Sequence, residues 1–323
     1  MAEMISSREE PWGAIRYNSL VDEFTAEVRQ GRESLPSTPI GIGWVIIGGC
    51  NLKCIHCYGN LEQLPRVVLS TSDCFTIVDR IIKAKVMRVT ISGGEPMLRD
   101  DLFGIIRRFH DGGVSVVLGT NGTFIQQENV RNLHVCTRVE ISLDGGTRDI
   151  NNRIRPSRQK RGDAWNETMN AIALCIANGI SLRVLTALNM QNQHSLLAMA
   201  GILEYLGVTD WGISWTIPAG RAFPIYDQLR PQESVMVPQL EQIRQMHPAL
   251  HIRYSNRSAD YNRFYCLILP DGQIGTEDVN LGQKVYFGSF PHIPIASVWN
   301  SVNYNLSQHF EKWAGNRVYY TEK

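Results

Sequence analysis

The chain of 323 residues lacks any apolar run approaching the roughly 18 residues that a membrane-spanning helix requires. Its first ten residues, Met1 to Glu10, are polar and acidic with no apolar h-region, so no secretory signal peptide is expected and the cytoplasm is the expected compartment. An excess of one charge is missing too. With 32 Lys and Arg against 31 Asp and Glu, the net charge of +1 gives no electrostatic reason to expect a nucleic-acid or membrane partner. No segment is of low complexity, and no repeat stands out beyond an alternation of strand and helix. Cysteine is scarce at seven, an odd number in a chain without an export signal, which excludes a disulfide framework and suits thiolates kept reduced. Scarcity is greatest near the C-terminus, where Cys266 is the only cysteine after Cys175.

The few cysteines that exist are concentrated. Cys50, Cys54 and Cys57 stand at C-x3-C-x2-C spacing, just after the apolar run Gly43-Trp44-Val45-Ile46-Ile47. Three thiolates leaving a strand end in one loop can converge on an iron-sulfur or a zinc centre. Held by only three protein ligands, a cubane would keep one iron open to another molecule, which is what catalysis requires.

About forty residues on, Val89-Thr90-Ile91-Ser92 reads as a buried strand ending in Gly93-Gly94-Glu95-Pro96. Together the two motifs resemble the radical S-adenosylmethionine (SAM) superfamily, whose signature is C-x3-C-x-aromatic-C followed by a Gly-Gly-Glu-Pro segment. The resemblance covers residues 41–222 well and the rest weakly. It implies one 4Fe-4S cluster on Cys50, Cys54 and Cys57, with SAM bound at its free iron. It also implies an electron donor such as flavodoxin or ferredoxin, and abstraction of a substrate hydrogen by a 5'-deoxyadenosyl radical.

From Gly43 the chain alternates strand and helix, which argues for an α/β fold with a parallel sheet. Strands are expected at 44–47, 88–92, 115–119, 138–143, 182–188 and 212–217, and helices at 72–84, 101–110, 127–132, 164–178 and 195–206. Ser70 to Asp73 offers N-caps, while Asp111-Gly112-Gly113, Asn178-Gly179 and Leu206-Gly207 offer stops. The six units fit a partial (β/α)6 TIM-like barrel over 41–222, with a small α+β C-terminal cap over 223–323. The cap is expected to hold a helix over 231–246, short strands at 252–254 and 264–269, a turn at Pro270 to Gln273 and a closing helix over 295–310. Residues 1–40 form an N-terminal extension with helical spacing from Leu20 to Gln30, too short for the leader-binding winged helix of some peptide-modifying relatives.

In such barrels the reactive groups sit at the C-terminal ends of the strands, where both motifs fall. His56 occupies the place of the family's aromatic against the SAM adenine; its plainer reading is a loop histidine without cofactor contact. Gly93 and Gly94 allow backbone to approach a ligand closely, and Glu95 can accept from the methionyl ammonium. Asn121, in Thr120-Asn121-Gly122, and Ser142, ahead of Asp144-Gly145, resemble barrel-mouth positions. Ser142 and Arg155 are candidates for the SAM ribose and carboxylate, and Asn189 for the adenine or ribose. Arg155 lies in a basic run with Arg153, Arg158, Lys160 and Arg161 that reads equally as solvated surface. Asp144 reads equally as a turn residue. Trp211, Trp215 and Arg221 face either substrate or core.

Trp211 to Ala222, which contains Pro218-Ala219-Gly220-Arg221-Ala222, resembles the barrel exit of radical SAM proteins with a SPASM or Twitch extension, as do Tyr265 to Gly272 and Ile295 to Ser301, and such extensions carry auxiliary clusters. With Cys266 alone, the expectation is a degenerate extension without a cluster. Cys266 is then either a packed small hydrophobe or a hydrogen donor to a substrate radical. A peptide substrate in natural-product maturation is expected first. The rivals are a small molecule such as a sugar, nucleoside or aminoglycoside, and a non-catalytic iron-sulfur or zinc protein.

Overall fold

The computed structural model describes residues 38–39, 41–59, 68–255, 265–278, 283–289 and 295. The helix expected at 20–30 and, past Ile295, the closing helix lie outside the described residues, as does all of the extension except Thr38 and Pro39. Six strands follow one another as parallel neighbours: β1 (Gly41–Val45), β2 (Arg88–Ser92), β3 (Ser115–Thr120), β4 (Arg138–Ser142), β5 (Leu182–Leu188) and β6 (Asp210–Trp215). Sequential parallel pairing demands a crossover after each strand. The crossovers are built from α1 (Thr71–Lys83), α2 (Leu102–Asp111), α3 (Arg148–Ile154), α4 (Ala164–Ala177) and α5 (Leu196–Tyr205). The result is the expected α/β partial barrel. No helix among the described residues is long and apolar enough to cross a membrane.

Period-two alternation along the strands sorts the side chains. Ile42, Trp44, Val89, Ile91, Val116, Leu118, Val139, Ile141, Val184 and Ile213 form one buried core with the helices. Within it Trp44 meets Phe109 edge-on at 6.1 Å between centroids. On α1 the buried residues Cys74, Ile77, Val78 and Ile81 form one stripe, and the Ser70 hydroxyl accepts from the Asp73 N–H to cap its start. Asp163 caps α4 through the Asn166 N–H. The other strand face carries Thr90, Ser92, Glu140, Ser142 and Ser214, and its polar ends meet the site.

Elements beyond residue 222 extend the same sheet at both ends. After α6 (Tyr226–Leu229) and α7 (Glu233–Met246), β7 (His251–Ser255) pairs parallel with β6. β8 (Tyr265–Ile268) crosses to pair parallel with β1, and β9 (Gln273–Asp278) and β10 (Gln283–Ser289) continue antiparallel. The ten-stranded order is β10-β9-β8-β1-β2-β3-β4-β5-β6-β7, with β10 and β7 at its ends.

Four local expectations change. β1 runs over Gly41–Val45, starting three residues earlier and ending two residues earlier than expected. The helix expected over 127–132 is a 3-10 segment at Val130–Val135, because the Asn129 side chain accepts from the Gln126 N–H and donates to the Phe124 carbonyl, competing with an α-helical start. β6 begins two residues earlier than expected and stops before Pro218, which has no N–H to continue a ladder. α3 was not expected; Thr147 caps it by accepting from the Ile150 N–H.

Candidate active site at the barrel mouth

The loop after β1 is held from three sides. Gly94 N–H donates to Ile47 O at 2.7 Å and Glu95 N–H to Gly49 O at 2.8 Å, fastening the end of β2 to it. These contacts explain the glycines: a Cβ on Gly94 would lie 2.0 Å from Gly49 O, and one on Gly93, at φ +155°, would lie 2.4 Å from Ile47 O. The close approach is to the cysteine loop's own backbone.

The second support is the segment after α3. Lys53 N–H donates to Pro156 O, Ile55 N–H to Ile154 O and Arg158 N–H to Asn51 O, forming a short ribbon bridged at Leu52 and Ser157. The basic run is therefore a strap: Arg153, Lys160 and Arg161 are exposed while Arg155 turns inward and is buried. The third support follows β6, where Arg221 N–H donates to Cys57 O at 2.9 Å and its guanidinium to Cys54 O. Gly220, at φ +55°, makes this possible, since a Cβ there would meet Cys57 O at 2.3 Å. Arg221 thus secures the cysteine loop.

Glu95 is fully buried; its Oε1 accepts from Thr120 Oγ1 at 2.7 Å and the Met97 N–H, and its Oε2 from the Asn121 N–H at 2.8 Å. Burial pushes its carboxyl above the usual range despite these donors. Asn121 donates to Asn51 Oδ1, and Asn51 in turn to Thr123 Oγ1, so the ends of β2 and β3 and the cysteine loop share one network.

Asp144, just past β4, is a hub, which decides between its two sequence readings against a plain turn residue. Fully buried, its carboxylate accepts from His56 Nε2 at 2.6 Å, from Ala187 N–H at 2.7 Å and from Arg155 Nε. Burial opposes its ionisation, but Arg155 and His56 hold the carboxyl down at about 2. His56 is therefore turned to Asp144, and its bond supports the reading as a loop residue. Arg155 also donates through Nη1 to Cys54 Sγ at 3.7 Å.

Other expected residues are dispersed. Ser142 is half-buried at the inward end of β4. Asn189 is buried in its own turn, donating to Ala187 O and accepting from Gln191 N–H. Trp211 lies in the core with its indole N–H on Thr186, and Trp215 donates to the Tyr254 hydroxyl. Cys266 is fully buried, on the strand face it shares with Ile42, Trp44 and Ile268, and burial pushes its thiol up to about 12. That placement supports the packed-hydrophobe reading and leaves the hydrogen-donor role without support.

The donor set suits a multi-iron group. Cys54 is buried, Cys50 and Cys57 are half-buried, and all three pack about Leu52 and Ala164. Burial raises the Cys50 thiol and lifts Cys54 to about 11, which disfavours the thiolate at both, and a bound metal cation would offset that cost. Among the described residues no three His, Cys, Asp or Glu side chains converge tightly enough to hold a single metal ion. Glu95 Oε2, with one N–H donor, retains a lone pair for an ammonium group.

A partial barrel with three clustered thiols and a buried carboxylate at its mouth is the plan of an enzyme that activates a cofactor at an open metal position. Residues 44–201 match the family profile of the radical SAM superfamily. The AdoMet-dependent heme synthase of Methanosarcina barkeri is 27% identical over 191 residues, covering 58% of this chain and 54% of that protein. The mycofactocin maturase MftC of Mycobacterium ulcerans is 28% identical over 202 residues, covering 62% and 53%. Thus the chain spans about half the length of the curated relatives it matches. The crystal structure of Streptococcus suis SuiB bound to precursor peptide SuiA superposes with TM-score 0.66 at 13% identity, covering 88% of this chain and 69% of that one. The chain thus carries a radical SAM domain over residues 44–201, and that superfamily works with a 4Fe-4S cluster and SAM.

Proposed function

We propose that the protein modifies a peptide by hydrogen abstraction, in the maturation of a natural product. When bound, the cluster on Cys50, Cys54 and Cys57 supplies the electron that cleaves SAM, and the resulting 5'-deoxyadenosyl group removes the substrate hydrogen. Glu95 accepts from the methionyl ammonium, the Ser92 and Ser142 strand ends border SAM, and the strap from Ile154 to Arg158 keeps the cysteine loop in place. Asn121 holds the loop through Asn51, Gly93 and Gly94 admit it to the end of β2, and Asn189 shapes the turn after β5.

The observation that carries the peptide reading is the rim. Tyr58, Leu98, Met190 and Phe223 are large apolar side chains left exposed in the segments that follow β1, β2, β5 and β6, and Phe223 is 70% exposed. Apolar side chains spread around an opening suit an extended chain lying across it better than a small polar molecule held below. Among the described residues the sheet also ends at β7 and β10, and strand edges there would suit an extended peptide.

The test is anaerobic turnover with SAM and dithionite, following 5'-deoxyadenosine and substrate mass, with a short peptide encoded beside the gene and, in parallel, iron-coproporphyrin. Stimulation by the peptide, with a KM raised about tenfold in Phe223→Ser, is expected. Stimulation by the tetrapyrrole alone would replace the peptide with a small molecule. Absence of 5'-deoxyadenosine from a fully loaded protein would leave the non-catalytic reading.

A further inference from the structure

The basic run holds five cations, yet only Arg155 is buried, and its guanidinium bridges a carboxylate and a thiol. Nε faces Asp144 and Nη1 faces Cys54 Sγ, so the planar fork is oriented from both sides. Asp144 is itself held rigidly: its N–H donates to Asn151 Oδ1 at 2.9 Å and its carbonyl accepts from Asn192 Nδ2 at 3.0 Å. The backbone of Arg155 is tied to the same turn, its N–H donating to Asn151 O at 2.7 Å. Such support on both ends exceeds what a loop anchor needs. The strap already joins the cysteine loop through three backbone hydrogen bonds that require no arginine side chain.

We propose that Arg155, aimed by Asp144, donates an N–H to the Cys54 thiolate of the bound cluster and raises the cluster's reduction potential. This rests on the assignment of Cys50, Cys54 and Cys57 as ligands. Reduction adds one negative charge to the cluster, and a fixed cation nearby in a buried site stabilises the reduced form more than the oxidised one. A hydrogen bond to ligand sulfur acts in the same direction, by drawing electron density from the thiolate. Arginine suits the task because it cannot lose its charge near the thiol. Asp144 is the positioning residue: it orients the fork, and its own negative charge moderates the effect.

The test is EPR potentiometry on the anaerobically reconstituted full chain, with iron counted in each sample. In Arg155→Gln the ratio of reduced to oxidised cluster at a fixed potential is expected to fall at least tenfold, which is about 59 mV for a one-electron couple. Asp144→Asn, which removes the opposing charge at constant shape, is expected to raise the ratio. An Arg155→Gln sample with wild-type iron and an unchanged or raised potential overturns the proposal, as does a fall in both variants, which a merely structural role would give. Should Arg155→Gln hold no iron, Asp144→Asn decides: a raised potential supports the proposal and an unchanged or lowered one overturns it. A wild type that binds no cluster fails earlier, overturning the ligand assignment on which the proposal rests.

Discussion

The two ends of the same strands carry buried networks of arginine and carboxylate that differ in how completely their hydrogen bonds are made. At the mouth, past β4, Asp144 gathers His56, Arg155 and the Ala187 N–H, and its charge is fully accommodated. At the floor, where β4, β5 and β6 begin, Arg183 meets Asp210 at 2.7 Å and Glu140 at 3.3 Å, while Arg138 stands 3.4 Å from Glu140 and 3.7 Å from Asp210. Arg138 Nε and Nη2 are buried without a hydrogen bond. Burial, then the neighbouring Arg183, lowers its ordinary pKa to about 10. The mouth is organised around a satisfied anion that aims Arg155 and His56, whereas the floor sets two arginines against two carboxylates and leaves Arg138 short of hydrogen bonds. Precise orientation is thus concentrated where the chemistry is.

Substitutions that separate the two ends follow. The largest effect is expected from Cys54→Ala, with bound iron falling from about four per chain to near zero and SAM cleavage abolished, whereas Arg138→Met retains its iron. Iron analysis after reconstitution checks both. Next comes Gly94→Ala. Because the new Cβ would sit 2.0 Å from Gly49 O, the metal-free protein should lose about 3 kcal/mol or more, read from urea unfolding. Asp144→Ala leaves Arg155 buried without its carboxylate and should destabilise by about 3–5 kcal/mol. Arg138→Met replaces an incompletely bonded buried cation by an apolar chain and should be neutral or stabilising, by up to about 4 kcal/mol. Equal losses in these last two variants would erase the distinction between the ends.

How much of this could be read from the sequence depended on whether the signal was local. Strand periods survived almost intact, with β2 and β5 at their expected bounds, because the alternation of apolar residues is set by the core each strand faces. The spacing of Cys50, Cys54 and Cys57 points to a metal centre, since ligands on one loop need no tertiary information, and Gly93-Gly94-Glu95-Pro96 is what separates the radical SAM cofactors from zinc. Asp144 keeps two readings in the sequence because its partners are 88, 11 and 43 residues away and only folding unites them. The basic run stays open for the same reason: burial of Arg155 among exposed neighbours comes from α3 and the ribbon to Leu52, neither visible in composition. At Gly94 the sequence suggests close approach to a ligand, and the group that approaches in the structure is the backbone of the chain's own cysteine loop.

Cys266 offers the smallest and most discriminating expectation. It pairs in register with Ile42, on the face that packs against the helices, and the sulfur meets the same core as Trp44 and Ile268. A donor of hydrogen to a substrate radical would have to face the inward side with Ser92 and Ser142, and a strand's period of two puts Cys266 on the other side. Cys266→Ala should therefore keep about four irons and undiminished 5'-deoxyadenosine formation, while losing about 1 kcal/mol of stability through one small cavity. Loss of turnover with iron intact would mean that β8 presents its opposite face to the substrate, and the register between β1 and β8 would have to shift by one residue.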